Sequence, residues 1–462
     1  MLTPWMRAVG VDAWLMVGAV VAIYYGLLGT TIALVRRLPC WPIWAACLWS
    51  ADEILMSAWP LGGFPWTRLA WATAETPFAL WFPWVGATGV SLLVAMSGSV
   101  LAWLVVSAKT RPRVAAAVLL SVALVALLPV AIRPHSLGPA WQRGLPSATV
   151  AVVQGDVPGA GDDLVAVHRE VTANQVAATA ELGSRVARGE VERPDFVLWP
   201  ENSTAVDPFN DAATHESISS AVAAVDAPIL VGAIVNGARP ETVLNQGIVW
   251  TPDGVVDERY TKRHPVPFGE YIPFRDGLDG LKIGRLAMIP RDMLPGTRST
   301  PLDINGLAVA DLICFDVAFD DSVAEQVREG AQMITVQTSN AMFIKTAQPQ
   351  QQFTISRLRA METGRAVVVA STNGISGVIA PDGSIRSTIP PRTTDVLVAE
   401  VPLVRRLTLA ATVGGPLKAL VLGAAGGALV WGGMCRLHRR WQSRVRTDDE
   451  PRDMEQVLVE RS

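Results

Sequence analysis

Three segments of this chain end an apolar, β-forming run on a reactive side chain. Phe196-Val197-Leu198-Trp199-Pro200 leads into Glu201, Arg259-Tyr260-Thr261 leads into Lys262, and Leu312-Ile313 leads into Cys314, which Phe315 and Asp316 follow. Each has an ordinary reading alone: an inert core cysteine, a solvated loop carboxylate, one more surface lysine. Together they describe a nucleophilic site. A thiolate is the effective nucleophile of a cysteine, and its pKa falls beside a cation such as Lys262. Glu201 can take the thiol proton and return it to a leaving group. An ammonium close to an attacked carbonyl also stabilises the oxyanion formed there. A second carboxylate, Glu270, can orient Lys262 or share the proton traffic. This is the logic of nucleophile, base and orienter without a histidine, and its natural target is an acyl carbon.

The elements that must position these residues alternate in type. Residues 149–153, 196–199, 229–235, 246–251, 307–314, 333–338, 366–370 and 377–380 read as strands, and 164–188, 215–224, 322–330 and 351–365 as helices. Alternation of this kind predicts an α/β layered domain, with ligands gathered at the carboxyl ends of its strands. Pro381-Asp382-Gly383 marks a turn between two β runs and predicts a hairpin. No internal repeat, GxGxxG or P-loop is present, so nucleotide binding has no support.

With 462 residues, 50% hydrophobic and 18% charged, and a mean hydropathy of +0.31, the chain is too apolar for a wholly soluble protein and too polar for an all-membrane one. A net charge of -3 gives no reason to invoke nucleic acid. The four cysteines (Cys40, Cys47, Cys314, Cys435) form no disulfide framework, and the five histidines include no HExxH, so neither a metal nor an organic cofactor is indicated. Apolar runs at 14–35, 79–108, 114–132 and about 407–434 are of spanning length; 42–58 is interrupted by Asp52 and Glu53. Arg36-Arg37, the basic cluster at 109–113 and the arginines from Arg436 onward fall on one side if 42–58 also spans. That gives four spans before Arg133 and one after it. By the positive-inside rule these clusters are cytoplasmic and residues 134–406 lie outside. The expected organisation is a membrane region at 1–133, an extracytoplasmic domain at 146–403, a membrane helix at 407–434 and a charged cytoplasmic tail at 435–462.

Glu201 in Trp-Pro-Glu-Asn, Lys262 in Tyr-Thr-Lys-Arg-His and Cys314 in Ile-Cys-Phe-Asp follow the chain order of the nitrilase (carbon–nitrogen hydrolase) superfamily. More narrowly, the block from His264 to Pro273 (HPVPFGEYIP) resembles the segment typical of the apolipoprotein N-acyltransferases, with Glu270 at the family's second important glutamate. Gly62-Gly63-Phe64-Pro65-Trp66, Gln154-Gly155-Asp156, Thr338-Ser339-Asn340, the run 357–362 and Ser371-Thr372-Asn373-Gly374-Ile375 extend the resemblance from about residue 50 to the last span. It implies an α/β fold, a nitrilase-type αββα sandwich inserted between N-terminal transmembrane helices and one C-terminal transmembrane helix. It also implies a catalytic Glu201, Lys262 and Cys314 supported by Glu270, Phe315, Asp316 and Asn340. The chain departs from the family at Asp316 (commonly Glu), at Phe315 (frequently Tyr), and in the loop 157–163, which lacks a frequent tryptophan. It also shows four spans where the family has about seven before the domain, which reads as loss of the first three.

What the resemblance implies is ping-pong chemistry in the bacterial inner membrane. Cys314 would take a fatty acyl group from a glycerophospholipid as a thioester, and the N-terminal amine of the S-diacylglyceryl-cysteine of an apolipoprotein would accept it. The apolar stretches 278–289 and 342–344 are candidate lid or lipid-facing loops, or ordinary core. Two alternatives stay open on the residues alone: a membrane-tethered amidase using the same three residues, and a catalytically impaired membrane scaffold.

Overall fold

Strands that are apolar on both faces are stable only when something covers each face. The structure, a computed structural model, describes residues 3–107, 110, 112–132, 144–161, 167–204, 206–278 and 289–448, and shows what supplies that cover. Before the domain run four helices: α1 (Val11–Val35), α2 (Trp41–Met56), α3 (Phe82–Ser107) and α4 (Pro112–Ile132). The domain then opens with β1 (Ser147–Gln154), α5 (His168–Ala187), β2 (Phe196–Leu198), α6 (Ala212–Val225) and β3 (Ile229–Asn236). It continues with β4 (Thr242–Thr251), β5 (Gly254–Thr261), α7 (Arg275–Leu278) and β6 (Asp292–Met293). Its second half comprises β7 (Leu302–Ile304), β8 (Leu307–Ile313), α8 (Asp320–Arg328), β9 (Met333–Thr338) and α9 (Gln348–Thr363). Then come β10 (Val367–Ser371), β11 (Ser376–Ile379), β12 (Ile385–Ile389), β13 (Asp395–Pro402) and a last helix, α10 (Leu409–Asp448).

Two sheets form, in the orders β13-β1-β2-β3-β4-β5, with β6 beside β4, and β12-β11-β10-β9-β8-β7. Period-two alternation sorts their side chains into layers. Val150, Val152, Leu198, Leu230 and Val249 face Ile313, Met333, Val368 and Ala370 between the sheets. Ala151, Val153, Val197 and Val231 point outward onto Leu182 of α5 and Ile218 and Val222 of α6. On the far side, Ala310, Leu312, Ile334 and Val336 meet Val323 and Val327 of α8 and Ile355 and Leu358 of α9. Each fully buried aliphatic side chain of this kind contributes about 1.5–3 kcal/mol. The result is the expected αββα sandwich. Only the end of β5, before Lys262, was read as β-forming, because the strand is a sheet edge carrying exposed Asp257.

Helices α1 to α4 and α10 pack into one bundle. Among the described residues four helices are long and apolar enough to cross a membrane, Val11–Val35, Pro77–Ser107, Pro112–Ala131 and Leu409–Ser443, where five spans were expected. The difference is α2, whose 16 residues reach about 24 Å. Its Glu53 does not meet lipid: Oε1 accepts from Leu69 N at 2.8 Å and Trp49 Nε1 at 3.0 Å, anchoring the loop that follows. The helix itself is packed among α1, α3 and α10 through Leu28, Leu48, Ala51, Val421 and Ala425. The arginine-rich segment expected as a tail instead prolongs α10 as helix to Asp448; residues 449–462 lie outside the described residues, as do 279–288 of the expected lid.

Contacts fix which end of the bundle meets the domain. Trp5 packs on Phe343 and donates to Gln351 at 2.9 Å, and Thr408, just before α10, donates to Glu362 O at 2.6 Å. At the other end, Leu34 lies against Gly432. Arg36, Arg37, Arg436 and Arg439 therefore sit at the end remote from the domain.

One buried carboxyl between the sheets stands apart. Asp311 Oδ1 accepts from Thr335 Oγ1 at 2.8 Å, but Oδ2 and the nearby Gln337 Oε1 have no hydrogen-bond partner among the described residues. Both crowd Gly247, where a Cβ would lie 2.1 and 2.6 Å from them. Burial pushes the Asp311 carboxyl from 3.8 up to about 7. A folded-state pKa raised this way favours the folded chain at low pH, and that advantage is lost as pH rises towards 7. Asp311→Asn, which supplies a donor and no charge, should raise the melting temperature at pH 8 by about 2–4 °C. The gain should vanish near pH 4; an equal gain at both pH values would rule out a titrating Asp311.

Candidate active site

The sandwich brings three of the reactive residues together from separate strand ends. Glu201 follows β2, and its carbonyl strand neighbour can lie close to β3 only because Gly232 is bare: a Cβ there would sit 2.2 Å from Pro200 O and 2.8 Å from Glu201 Cα. The buried Glu201 carboxylate accepts from Lys262 Nζ at 3.1 Å, Asn245 Nδ2 at 2.8 Å and Ser339 N at 3.0 Å. Lys262 leaves β5, and its main-chain N donates to Asn245 O at 2.9 Å, locking the strand end. Its ammonium is wholly buried and donates to Glu270 Oε1 at 2.6 Å as well as to Glu201. Glu270 is held in turn by Val266 N, 2.7 Å from its Oε2.

Cys314 begins a tight turn, Cys314–Ala318, at the end of β8, with φ of 53°. A non-glycine residue in that region is strained, so the backbone there is held by its surroundings. The side chain is partly exposed and lies within electrostatic reach of Glu201, Lys262 and Glu270. Phe315, beside it, packs on Phe64 and Trp66 of the loop between α2 and α3, with ring centroids 6.0 and 5.8 Å apart. A cavity of about 420 Å³ is lined by Gly62, Gly63, His264, Tyr271, Phe319 and Phe315, the residue that follows Cys314.

The electrostatics of the site set charge against burial. Burial lowers the lysine's pKa, but Glu201 and Glu270 outweigh it and hold Lys262 well above its ordinary value. Burial and the charge of Glu201 push the Cys314 thiol up to about 12, against the pull of Lys262. That direction favours a thiol at rest, whose proton leaves as the attack occurs. Burial likewise raises Glu270, Lys262 pulling it back.

Two expected supporting residues stand behind the site. Asp316 is buried and accepts from Tyr260 Oη at 2.8 Å, His264 N at 3.0 Å and Arg263 N at 3.3 Å. It ties the cysteine turn to the backbone flanking Lys262. Asn340 spends its amide on Gln348, Gln352 and Ser371, at 2.9, 2.7 and 2.9 Å. It is the neighbouring Ser339 N that reaches Glu201. Sequence reasoning missed Asn245 and Tyr260; a polar residue inside the buried strand β4 was the available signal for the first. Among the described residues no cluster of His, Cys, Asp or Glu could hold a metal ion.

The fold is that of a carbon–nitrogen hydrolase: that family's profile, "Carbon-nitrogen hydrolase", matches residues 149–408. A second profile, "Apolipoprotein N-acyltransferase N-terminal domain", matches residues 1–100. The apolipoprotein N-acyltransferase of Mycolicibacterium smegmatis is 36% identical over 448 residues, covering 93% of this chain and 74% of its own length. That of Pseudomonas aeruginosa is 29% identical, covering 83% and 75%, and that of Shewanella oneidensis 27%, covering 87% and 77%. The chain belongs to the apolipoprotein N-acyltransferase family of the carbon–nitrogen hydrolase superfamily, and is an acyltransferase.

Two tests follow from the geometry. Alkylation of Cys314 by iodoacetamide should accelerate about tenfold per pH unit from pH 7 to 10, as the thiolate fraction does; a plateau below pH 8 would show a pre-formed thiolate instead. Gly232→Ala should push Glu201 off Lys262 and lower acyl transfer by about a hundredfold, the cost of a misplacement near 1 Å. Unchanged turnover would show that Glu201 needs no such close approach.

Proposed function

We propose that the chain acylates the N-terminal amine of S-diacylglyceryl-cysteine on lipoproteins, using a fatty acyl group from a membrane glycerophospholipid carried as a thioester on Cys314. The observation that carries this reading is the buried Lys262 ammonium clamped between Glu201 and Glu270 beside a thiol at a strained strand end. Glu201 takes the Cys314 proton as sulfur attacks the ester carbonyl, and the Lys262 ammonium faces the oxyanion. When the tetrahedral intermediate collapses, the carbon–oxygen bond breaks and the lysophospholipid hydroxyl leaves with the proton from Glu201. The lipoprotein amine then attacks the thioester, a carbon–nitrogen bond forms and the carbon–sulfur bond breaks. The proton lost by the amine returns through Glu201 to the thiol. Because the resting cysteine is protonated, Glu201 has work to do in both halves. Asp316, short of the family's common glutamate, serves here as the tie between the turn and Lys262.

The membrane setting suits lipid-borne substrates. The helices expose Leu119, Leu120, Leu124, Leu127 and Leu128 on α4 and Leu420 and Val430 on α10, a surface made for hydrocarbon. The arginines at the bundle end remote from the domain favour a cytoplasmic end there and an extracytoplasmic domain.

Mass spectrometry of Cys314 in phospholipid vesicles tests the reading. A fatty acyl adduct should form on the wild-type chain, be absent from Cys314→Ala, and move to the amine of an added diacylglyceryl-cysteine peptide. Lys262→Met and Glu201→Gln should each slow adduct formation by at least about 10²-fold. Release of free fatty acid or ammonia in place of transfer to the peptide would favour a hydrolase.

A further inference from the structure

Six residues after Cys314, Asp320 opens α8 and gathers three cations from three other elements. Arg68 Nη1 lies 2.9 Å from both of its oxygens, Arg359 Nη2 2.9 Å from Oδ1, and Lys418 Nζ 2.7 Å from Oδ2. Arg68 belongs to the loop between α2 and α3, Arg359 to α9 and Lys418 to α10. Both arginines are buried, and the Trp71 ring lies beside both guanidinium groups, at 4.9 Å from Arg359 and 5.4 Å from Arg68.

Each arginine has a second hold. Arg359 Nε donates to Val317 O and Nη2 to Ala318 O, both at 2.9 Å, gripping the last carbonyls of the turn that begins at Cys314. It also pairs with Glu362, whose Oε1 accepts from Ala87 N at 2.9 Å, next to the kink of α3 at Gly86. Arg68 Nη2 donates to Thr88 Oγ1 of α3 at 2.8 Å. Two residues before Arg68, Trp66 packs on Phe315, and the same loop supplies Gly62 and Gly63 to the cavity beside the thiol. One carboxylate thus reaches both walls of that cavity: the turn bearing the nucleophile, through Arg359, and the membrane-side loop, through Arg68.

We propose that Asp320 is a positioning residue, holding the loop between α2 and α3 and the helix α10 in register with the Cys314 turn so that lipid-borne acyl groups meet the thiol. The inference rests on the acyl-transfer reading above and adds to it the part that couples the membrane bundle to the chemistry. Adhesion between bundle and domain does not need this cluster, because Trp66, Trp71, Phe82 and Ala87 already share a core with α8 and α9. What a directional, charge-assisted network adds to such a contact is register. Burial pushes the Asp320 carboxyl up, but Arg68, Lys418 and Arg359 outweigh it and keep it well below its ordinary value.

The test uses the full chain in vesicles of phosphatidylethanolamine and phosphatidylglycerol, with two readouts on Cys314: thioester formation from the lipid, and acylation by water-soluble p-nitrophenyl butyrate. Asp320→Asn should lower the lipid reaction by about tenfold to a hundredfold, as displacements near 1 Å do, and leave the soluble reaction within about twofold. Lys418→Gln, at a partly exposed position, should show the same split at about two- to fivefold, the scale of a half-exposed ion pair. It decides the matter if Asp320→Asn does not fold. Asp320→Glu should recover part of the lipid rate. Equal losses in both reactions would make the cluster a fold support only, and no loss in either would remove its role; both overturn the proposal. A wild-type chain that takes no acyl group from lipid would overturn the acyl-transfer reading, and this proposal with it, and the wild-type arm tells that outcome apart.

Discussion

A lysine ammonium with no access to water is tolerated only if charge and hydrogen bonds replace its hydration. Here the replacement comes from Glu201 and Glu270, and breaking such a buried pair by removing one partner costs about 3–5 kcal/mol. The requirement reaches far into the fold, because Glu201 is itself held by residues of both sheets. Asn245 belongs to β4 of the first sheet, and Ser339 follows β9 of the second. The charge balance of the lysine closes only when the two sheets stack in one register. The cysteine strand β8 lies parallel to β9, with Leu312 beside Val336, so the register that satisfies Lys262 also delivers Cys314.

Strain collects around the same point. Asn202, Phe268, Cys314 and Asn340 all adopt positive φ, at 56°, 59°, 53° and 55°, where non-glycine residues cost about 1–3 kcal/mol each. Each lies within a few residues of a group that touches the buried lysine or the thiol. Such conformations persist where packing and hydrogen bonds over-determine them. For Cys314 the restraints are visible: Asp316 on one side, tied to Tyr260, Arg263 and His264, and Arg359 on the other, tied to Val317 and Ala318.

Much of this was legible from residue order. Apolar runs with buried faces announced the central strands, and Pro381-Asp382-Gly383 the β11–β12 hairpin, because period and turn chemistry are local properties. Glu201, Lys262 and Cys314 stood out because each interrupts such a run. What was not legible depends on partners far away in the chain. Charge-laced β5 looks like loop until β4 lies beside it. Asp320 resembles a surface acid opening a helix until Arg68, 252 residues earlier, turns out to face it. The downward pull of Lys262 on Cys314 was legible; the burial that opposes it depends on packing from distant parts of the chain. Asp52 and Glu53 interrupt 42–58, which was nonetheless counted as a span; Glu53's partner, Leu69 N, lay beyond any local pattern.

The relation between bundle and domain bears on the amidase alternative, which treats the membrane helices as an anchor. An anchor needs only a linker, and the domain it holds would close its own surface with polar residues. In this chain the layer outside the second sheet does not close on α8 and α9. It runs on into Trp66, Trp71, Phe82 and Ala87, and Phe64 and Trp66 cover Phe315 next to the thiol. Cut free, the domain would present that apolar face to water at the rim of its own cavity. The membrane region is thus a structural part of the cleft, as expected where the substrate arrives from the bilayer and unneeded where it arrives from solution.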